Sequence, residues 1–221
     1  VCDILLARGY LAEGESAIAF PTDLTSVLSG ASVAQLRSWR STELLRPEVQ
    51  QHPRVLYSFR DVLALRTFVR LRRHVSLQKI RRAMASLRDY DLTDHPASYK
   101  LVADHGSILL LQDDSITDLV TRKGQELLGT MEDVLAPFEN MQGDIVVDFR
   151  RPRPNLEVRE RRMGGWPTIS GTRIPYNNIA LLLQDGSVAP DEVHEFYPSV
   201  SAAAAIDAVN FDGTVRRLQG D

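Results

Sequence analysis

Residues 29–40 read Ser29-Gly30-Ala31-Ser32-Val33-Ala34-Gln35-Leu36-Arg37-Ser38-Trp39-Arg40. Gly30 supplies the left-handed backbone that ends a helix, and Ser32 is an N-cap residue placed to start another two positions on. In the helix that follows, Val33 to about Arg40, Val33, Leu36 and Trp39 share one face and leave Gln35, Arg37, Ser38 and Arg40 polar on the others. Upstream, Pro21-Thr22-Asp23 opens a helix carrying Leu24, Val27 and Leu28 at i, i+3, i+4. The unit is therefore helix, tight turn, helix, with a core face and a polar reading face.

Outward from this unit, Leu44-Leu45-Arg46-Pro47 closes it, and Glu48 to Leu56, interrupted by Pro53, suits a two-stranded loop, a wing. Ser58-Phe59-Arg60-Asp61 carries the S-x-x-D capping signature ahead of Val62, Leu65, Phe68, Val69 and Leu71, a helix to about Arg73. Ser76 then precedes Leu77, Ile80, Met84 and Leu87, a further helix ending near Asp89. Residues 1–20 show no clear period beyond one strand ending near Phe20.

Charge is segregated along the chain. Residues 31–88 hold 13 basic and 3 acidic side chains, and residues 89–148 hold 3 and 13, although the whole chain of 221 residues carries only −3. A basic segment of that length beside an acidic one fits a module that faces a polyanion, or two faces that pair with each other.

Beyond Pro96, the runs 99–103 and 107–111 flank Asp104-His105-Gly106 and predict a β-hairpin. Ser115 and Asp118 repeat the capping signature, and apolar positions from Ile116 to Phe138 predict a long helix with an acidic outer face. A strand follows at 144–148, and residues 149–162, with two prolines and six arginines, read as a basic connector. Helices then open at Pro175, Pro190 and Ser201, the last running to about Phe211. The expected architecture is mainly α with small β elements (α+β). It comprises an N-terminal winged helix-turn-helix over 1–90, a middle hairpin plus long helix over 97–150, and a C-terminal three-helix module over 159–221.

The text of residues 21–88, with Ser29 to Arg37, Leu44 to Pro47, Tyr57 to Asp61 and Val75 to Ile80 as quoted, resembles the MerR family of transcription regulators. Glu43 and His74 stand where that family often has glycine. The resemblance implies major-groove contacts from Ser32, Gln35, Arg37 and Arg40, and phosphate contacts from Arg54, Tyr57 and Arg60. The stretch Gly164 to Pro175, with Asp185-Gly186-Ser187, Asp191-Glu192-Val193 and Tyr197-Pro198, is similar to the helical family known as domain of unknown function 433. Together the two resemble a VapB-type antitoxin of a type II toxin-antitoxin pair, of the mycobacterial kind. That likeness implies operator DNA as one partner, a PIN-domain ribonuclease toxin as another, and a cytoplasmic homodimer that represses its own operon. Toxin contacts would come from Trp166, Thr172, Arg173, Ile174 and Tyr176, with Arg173 or one of Arg159, Arg161 and Arg162 meeting the toxin's carboxylates. Trp166 reads equally as a local staple or an interface anchor.

Other chemistries find little support. The lone Cys2 allows no internal disulfide and no thiolate metal site, and the five histidines lack ligand spacing. The glycines around 164–171 lack phosphate-loop spacing, and no serine sits in a nucleophile elbow. No cofactor, no metal, no catalytic residue and no membrane span are expected. The alternative functions are a free-standing MerR-like regulator, with a small-molecule effector pocket between the hairpin and the 116–138 helix, and an adaptor that binds only protein.

Overall fold

The computed structural model describes residues 19–89, 94–104, 106–112, 115–120 and 135–218. It is mainly helical with small antiparallel sheets, as expected. Two compact units interleave along the chain. One is built from Val1–Leu24, Pro47–Phe59 and Arg150–Asp221, the other from Thr25–Arg46 and Arg60–Phe149. The expected strand near Phe20 is β1 (Phe20–Pro21), and residues 1–18 lie outside the described residues.

The second unit holds the helix-turn-helix. Helix α1 (Thr22–Ser29) ends where Gly30 takes φ +78° and donates its N–H to the Ser26 carbonyl at 2.9 Å. A side chain there would meet more than a backbone penalty, since an added Cβ would lie 2.3 Å from Val146 Cγ2. Ser26 Oγ donates to the Ala31 carbonyl at 2.6 Å, which braces the turn. Helix α2 (Val33–Ser41) then starts on a complete capping box: Ser32 Oγ accepts the Gln35 N–H at 3.1 Å, and Gln35 Oε1 accepts the Ser32 N–H at 2.8 Å. Its end is also left-handed, with Glu43 at φ +56°, one of the two positions where glycine is usual in the family the text resembles.

Leu36 and Trp39 face the core, and Trp39 meets Phe68 edge-on, with ring centroids 6.1 Å apart. Phe68 belongs to α3 (Phe59–Arg72), which starts directly after Ser58, and α4 (Leu77–Asp89) adds Ile80, Ala83, Met84 and Leu87. The middle segment forms a three-stranded sheet, β3 (Lys100–Asp104), β4 (Ser107–Gln112) and β5 (Ser115–Asp118), in the order β3-β4-β5. It contacts α4, where Ser86 Oγ donates to the Leu119 carbonyl at 2.9 Å.

The hairpin at 100–112 is present, but residues 115–118 are a third strand, not the first turn of a helix. The Asp118 carboxylate accepts the hydroxyl of Ser107 across the sheet at 2.5 Å and the N–H of Val120 at 2.7 Å. An Asx-type turn thus uses the same Asp that a capping signature would. Residues 121–134 of the expected helix, and with them the expected effector pocket, lie outside the described residues, and its expected end at Phe138 is strand, not helix. A short hairpin, β6 (Phe138–Glu139) with β7 (Ile145–Val146), follows.

Arg66 ties this unit together. Its side chain is fully buried, and its guanidinium donates to the carbonyls of Leu28 (2.8 Å), Leu135 (3.1 Å), Ala136 (2.7 Å) and Val147 (2.7 Å). Its carbon lies 5.0 Å from the Phe138 ring centroid and 5.8 Å from that of Phe149. Burial pushes its pKa down to about 10, Asp148 opposing and Arg70 reinforcing the shift, so it remains charged at neutral pH.

The first unit pairs β1 with β2 (Leu56–Tyr57), the wing loop being closed by mutual hydrogen bonds of Gln50 and Leu56. Its larger part is the hairpin β8 (Leu156–Glu157) with β9 (Thr168–Ile169), followed by α5 (Tyr176–Leu182), α6 (Val193–Phe196) and α7 (Ala202–Arg217). The stretch read as a connector thus supplies buried Leu156 and Val158, and α7 extends beyond Phe211 to Arg217. Phe20, Trp166, Tyr176 and Phe211 form a ladder of successive rings, with neighbouring centroids 6.2, 6.3 and 4.9 Å apart.

Arg66→Ala would take the guanidinium from four carbonyls, of which Leu135 alone is seen to keep a backbone donor, the Phe149 N–H, and a loss of at least about 3 kcal/mol is expected. Arg66→Lys, which keeps the charge but not the fork, should stay well below wild type in urea denaturation. A loss under about 1 kcal/mol for the alanine variant would contradict this role.

Candidate nucleic-acid interface and arginine cleft

Helix α2 brings Ser32, Gln35, Arg37 and Arg40 together. Ser32 and Arg37 are exposed, and Gln35 and Arg40 half-buried. Gln35 uses its carbonyl oxygen in the capping box, which leaves its amide NH2 as the group able to donate to a base. Arg37 and Arg40 make no side-chain hydrogen bond or ion pair with the described residues. Exposed Ala34, Ser38 and Ser41 complete a face without large apolar groups. Such a face can slide into a groove and present two guanidinium forks to base edges or phosphates.

The remaining residues expected at DNA fall in different places. Arg60 is exposed at the start of α3, in the same unit, with Nη2 3.3 Å from Ser98 Oγ. Arg54 and Tyr57 belong to the other unit. Arg54 is exposed on the wing loop, whereas Tyr57 is buried in β2.

Of the five side chains expected at a protein partner, only Arg173 is exposed and makes no hydrogen bond within the described residues. Half-buried Trp166 stacks on Phe20 and Tyr176 and donates its indole N–H to Asn177 Oδ1 at 2.9 Å, a local staple. Thr172 Oγ1 donates to the Ile169 carbonyl and accepts the Ile174 N–H, while Ile174 is half-buried and Tyr176 buried.

One carboxylate that the pattern of residues did not single out organises the surroundings of Arg173. Glu157, 5% exposed, accepts from Arg159 Nε at 2.8 Å, from Arg162 Nη1, and from the Gly171 N–H at 2.8 Å. Arg159, Arg161, Arg162, Gly171, Thr172 and Arg173 line an open cleft of about 410 Å3. Glu157 was hidden because a single Glu among arginines looks like a solvated pair until the β8–β9 register carries it inward.

Two segments of the chain match known families. Residues 25–87 match the MerR HTH family regulatory protein, and residues 156–211 match the protein of unknown function DUF433. The chain therefore carries a MerR-like helix-turn-helix together with a DUF433-type module, and the first suggests DNA-binding transcription regulation.

Among solved structures, the X-ray crystal structure of Rv2018 from Mycobacterium tuberculosis is similar, at 14% identity and a TM-score of 0.51. The match covers 86% of this chain and 96% of that one. At that identity the likeness is one of fold. No curated protein matches the chain. No helix among the described residues is long and apolar enough to cross a membrane.

Glu157→Gln should keep an acceptor for Gly171 but remove the charge that pairs two arginines in a nearly buried position. A loss of about 1–3 kcal/mol in thermal or urea unfolding is expected. An unchanged midpoint would show that Glu157 does not organise the hairpin.

Proposed function

We propose that this protein is an operator-binding regulator of the antitoxin kind. It reads DNA with α2, represses its own operon as a cytoplasmic homodimer, and holds a PIN-domain ribonuclease through its DUF433-type module. The observation that supports DNA reading most directly is the polar face of α2, where Arg37 is exposed and uncommitted and Ser32 and Gln35 fix the helix start.

The module supports a docking role in a different way from that first expected. Trp166, Thr172 and Tyr176 are engaged within the fold, while Leu181 on α5, Phe196 on α6 and Ile206 and Val209 on α7 are exposed. Large apolar side chains on all three helices of one small module are suitable anchors for a protein partner.

Arg37→Ala is expected to lower discrimination between the preferred operator and single-base variants by roughly 1–3 kcal/mol at the position it reads. Competition binding against a panel of base substitutions measures this, and an unaltered preference would remove Arg37 from the reading set. For the partner, purified full-length chain should inhibit the ribonuclease encoded beside it, and Phe196→Asp should weaken that inhibition without changing DNA affinity. Full ribonuclease activity in the presence of excess wild-type chain would contradict the antitoxin reading.

A further inference from the structure

We propose that the cleft lined by Arg159, Arg161, Arg162 and Arg173 is a phosphate site through which the DUF433-type module itself grips the backbone of DNA. The assignment does not rest on α2 reading bases. Three features of the first unit carry it: the chemistry of the lining, the way the arginines are held, and the distribution of charge.

Six residues line the cleft, four of them arginines, with Gly171 and Thr172 between them. No aromatic or large apolar side chain contributes, so a ligand there is recognised through charge and hydrogen bonds. Gly171, at φ +78°, has nothing within 4 Å of where a Cβ would sit, which leaves that wall of the cleft open. A volume of about 410 Å3 accommodates a phosphate with its ester oxygens and several waters. No Asn or Gln amide lines the cleft, so it offers no bidentate reader of adenine.

Glu157 prearranges half of the set. By holding Arg159 and Arg162 it orients two guanidinia and neutralises one charge, while Arg161 and Arg173 make no ion pair or hydrogen bond with the described residues. Four cations against one anion leave the cleft at +3. A partner protein would have to bring three carboxylates into the cleft to match it, and any charge left unpaired in a dry interface is penalised severely. Successive phosphates in a wet groove neutralise all three and match the planar fork of arginine.

The charge of the whole module points the same way. Residues 150–173 contain seven arginines and two glutamates, while residues 174–221 contain two arginines and seven acids. The net charge near zero of this part of the chain thus conceals a basic segment that contains the cleft and an acidic one beyond it.

The test uses the full chain and a fluorescein-labelled 20-base-pair duplex of mixed sequence, with binding followed by anisotropy from 50 to 200 mM KCl. Arg161→Ala combined with Arg173→Ala removes two side chains that have no role in holding the fold, and circular dichroism checks that it is kept. The double variant should bind at least about tenfold more weakly at 150 mM salt, with a slope of log affinity against log salt shallower by about 2.

Wild-type slope and affinity in the double variant would overturn the phosphate site while leaving the α2 reading standing. Unchanged DNA binding with lost ribonuclease inhibition would also overturn it, and would assign the cleft to a partner's carboxylates. Failure of the wild-type chain to bind the duplex at any of these salt concentrations would overturn the phosphate site alone, because the α2 reading concerns its own operator sequence.

Discussion

The buried guanidinium of Arg66 is the constraint on which the helix-turn-helix unit depends. From α3 it reaches the last turn of α1 at Leu28 and three carbonyls of the segment 135–147, and it lies beside the rings of Phe138 and Phe149. A cation taken out of water is costly, and here backbone oxygens from two distant parts of the chain supply its solvation. The segment 135–149 is therefore part of the same body as α1 to α4, not an appended element. Gly30 follows from the same arrangement, because Val146 fills the space in which a side chain at the turn would stand. The turn before α2 is thus held by Val146 against Gly30 and by Arg66 on the Leu28 carbonyl.

The other unit is organised around rings and one acid. Phe20 stacks on Trp166, Trp166 on Tyr176, and Tyr176 meets Phe211 edge-on, so that β1, the turn after β8, α5 and α7 share one aromatic core. Gly165, at φ +89°, lets Phe59 approach to where a Cβ would collide with its ring. Glu157 does for the neighbouring arginines what the core does for the rings, fixing Arg159, Arg162 and the Gly171 turn from one nearly buried position. Here the chemistry available to a partner is what the fold leaves over, chiefly Arg161, Arg173 and the exposed apolar residues of the three helices.

Much of this is legible in the sequence itself. The turn at Gly30, the Ser32 cap, the split between Leu36 and Trp39 on one side and Arg37 and Ser38 on the other, and α3 and α4 all follow from short-range rules. Local capping and helical period dominate in those segments. Long-range interactions decided the rest. Asp118 looks like a cap and is a cross-strand acceptor; Leu156 and Val158 are masked by the prolines and arginines around them; nothing in the local pattern singles out Arg66, whose carbonyl partners lie far along the chain. For the candidate site, the α2 set was legible because exposure on a helix follows its period. Tyr57 and Tyr176 were not, because burial of an aromatic depends on what packs over it.

On the proposed function, the exposed face of α2 reads DNA sequence. The most direct measurement is repeated selection by the full-length chain from a duplex library with a randomised centre, followed by sequencing. Convergence is expected on one motif whose enrichment disappears when Arg37 and Arg40 are both replaced by alanine. A library that stays unenriched, or the same motif recovered by the double variant, would contradict it.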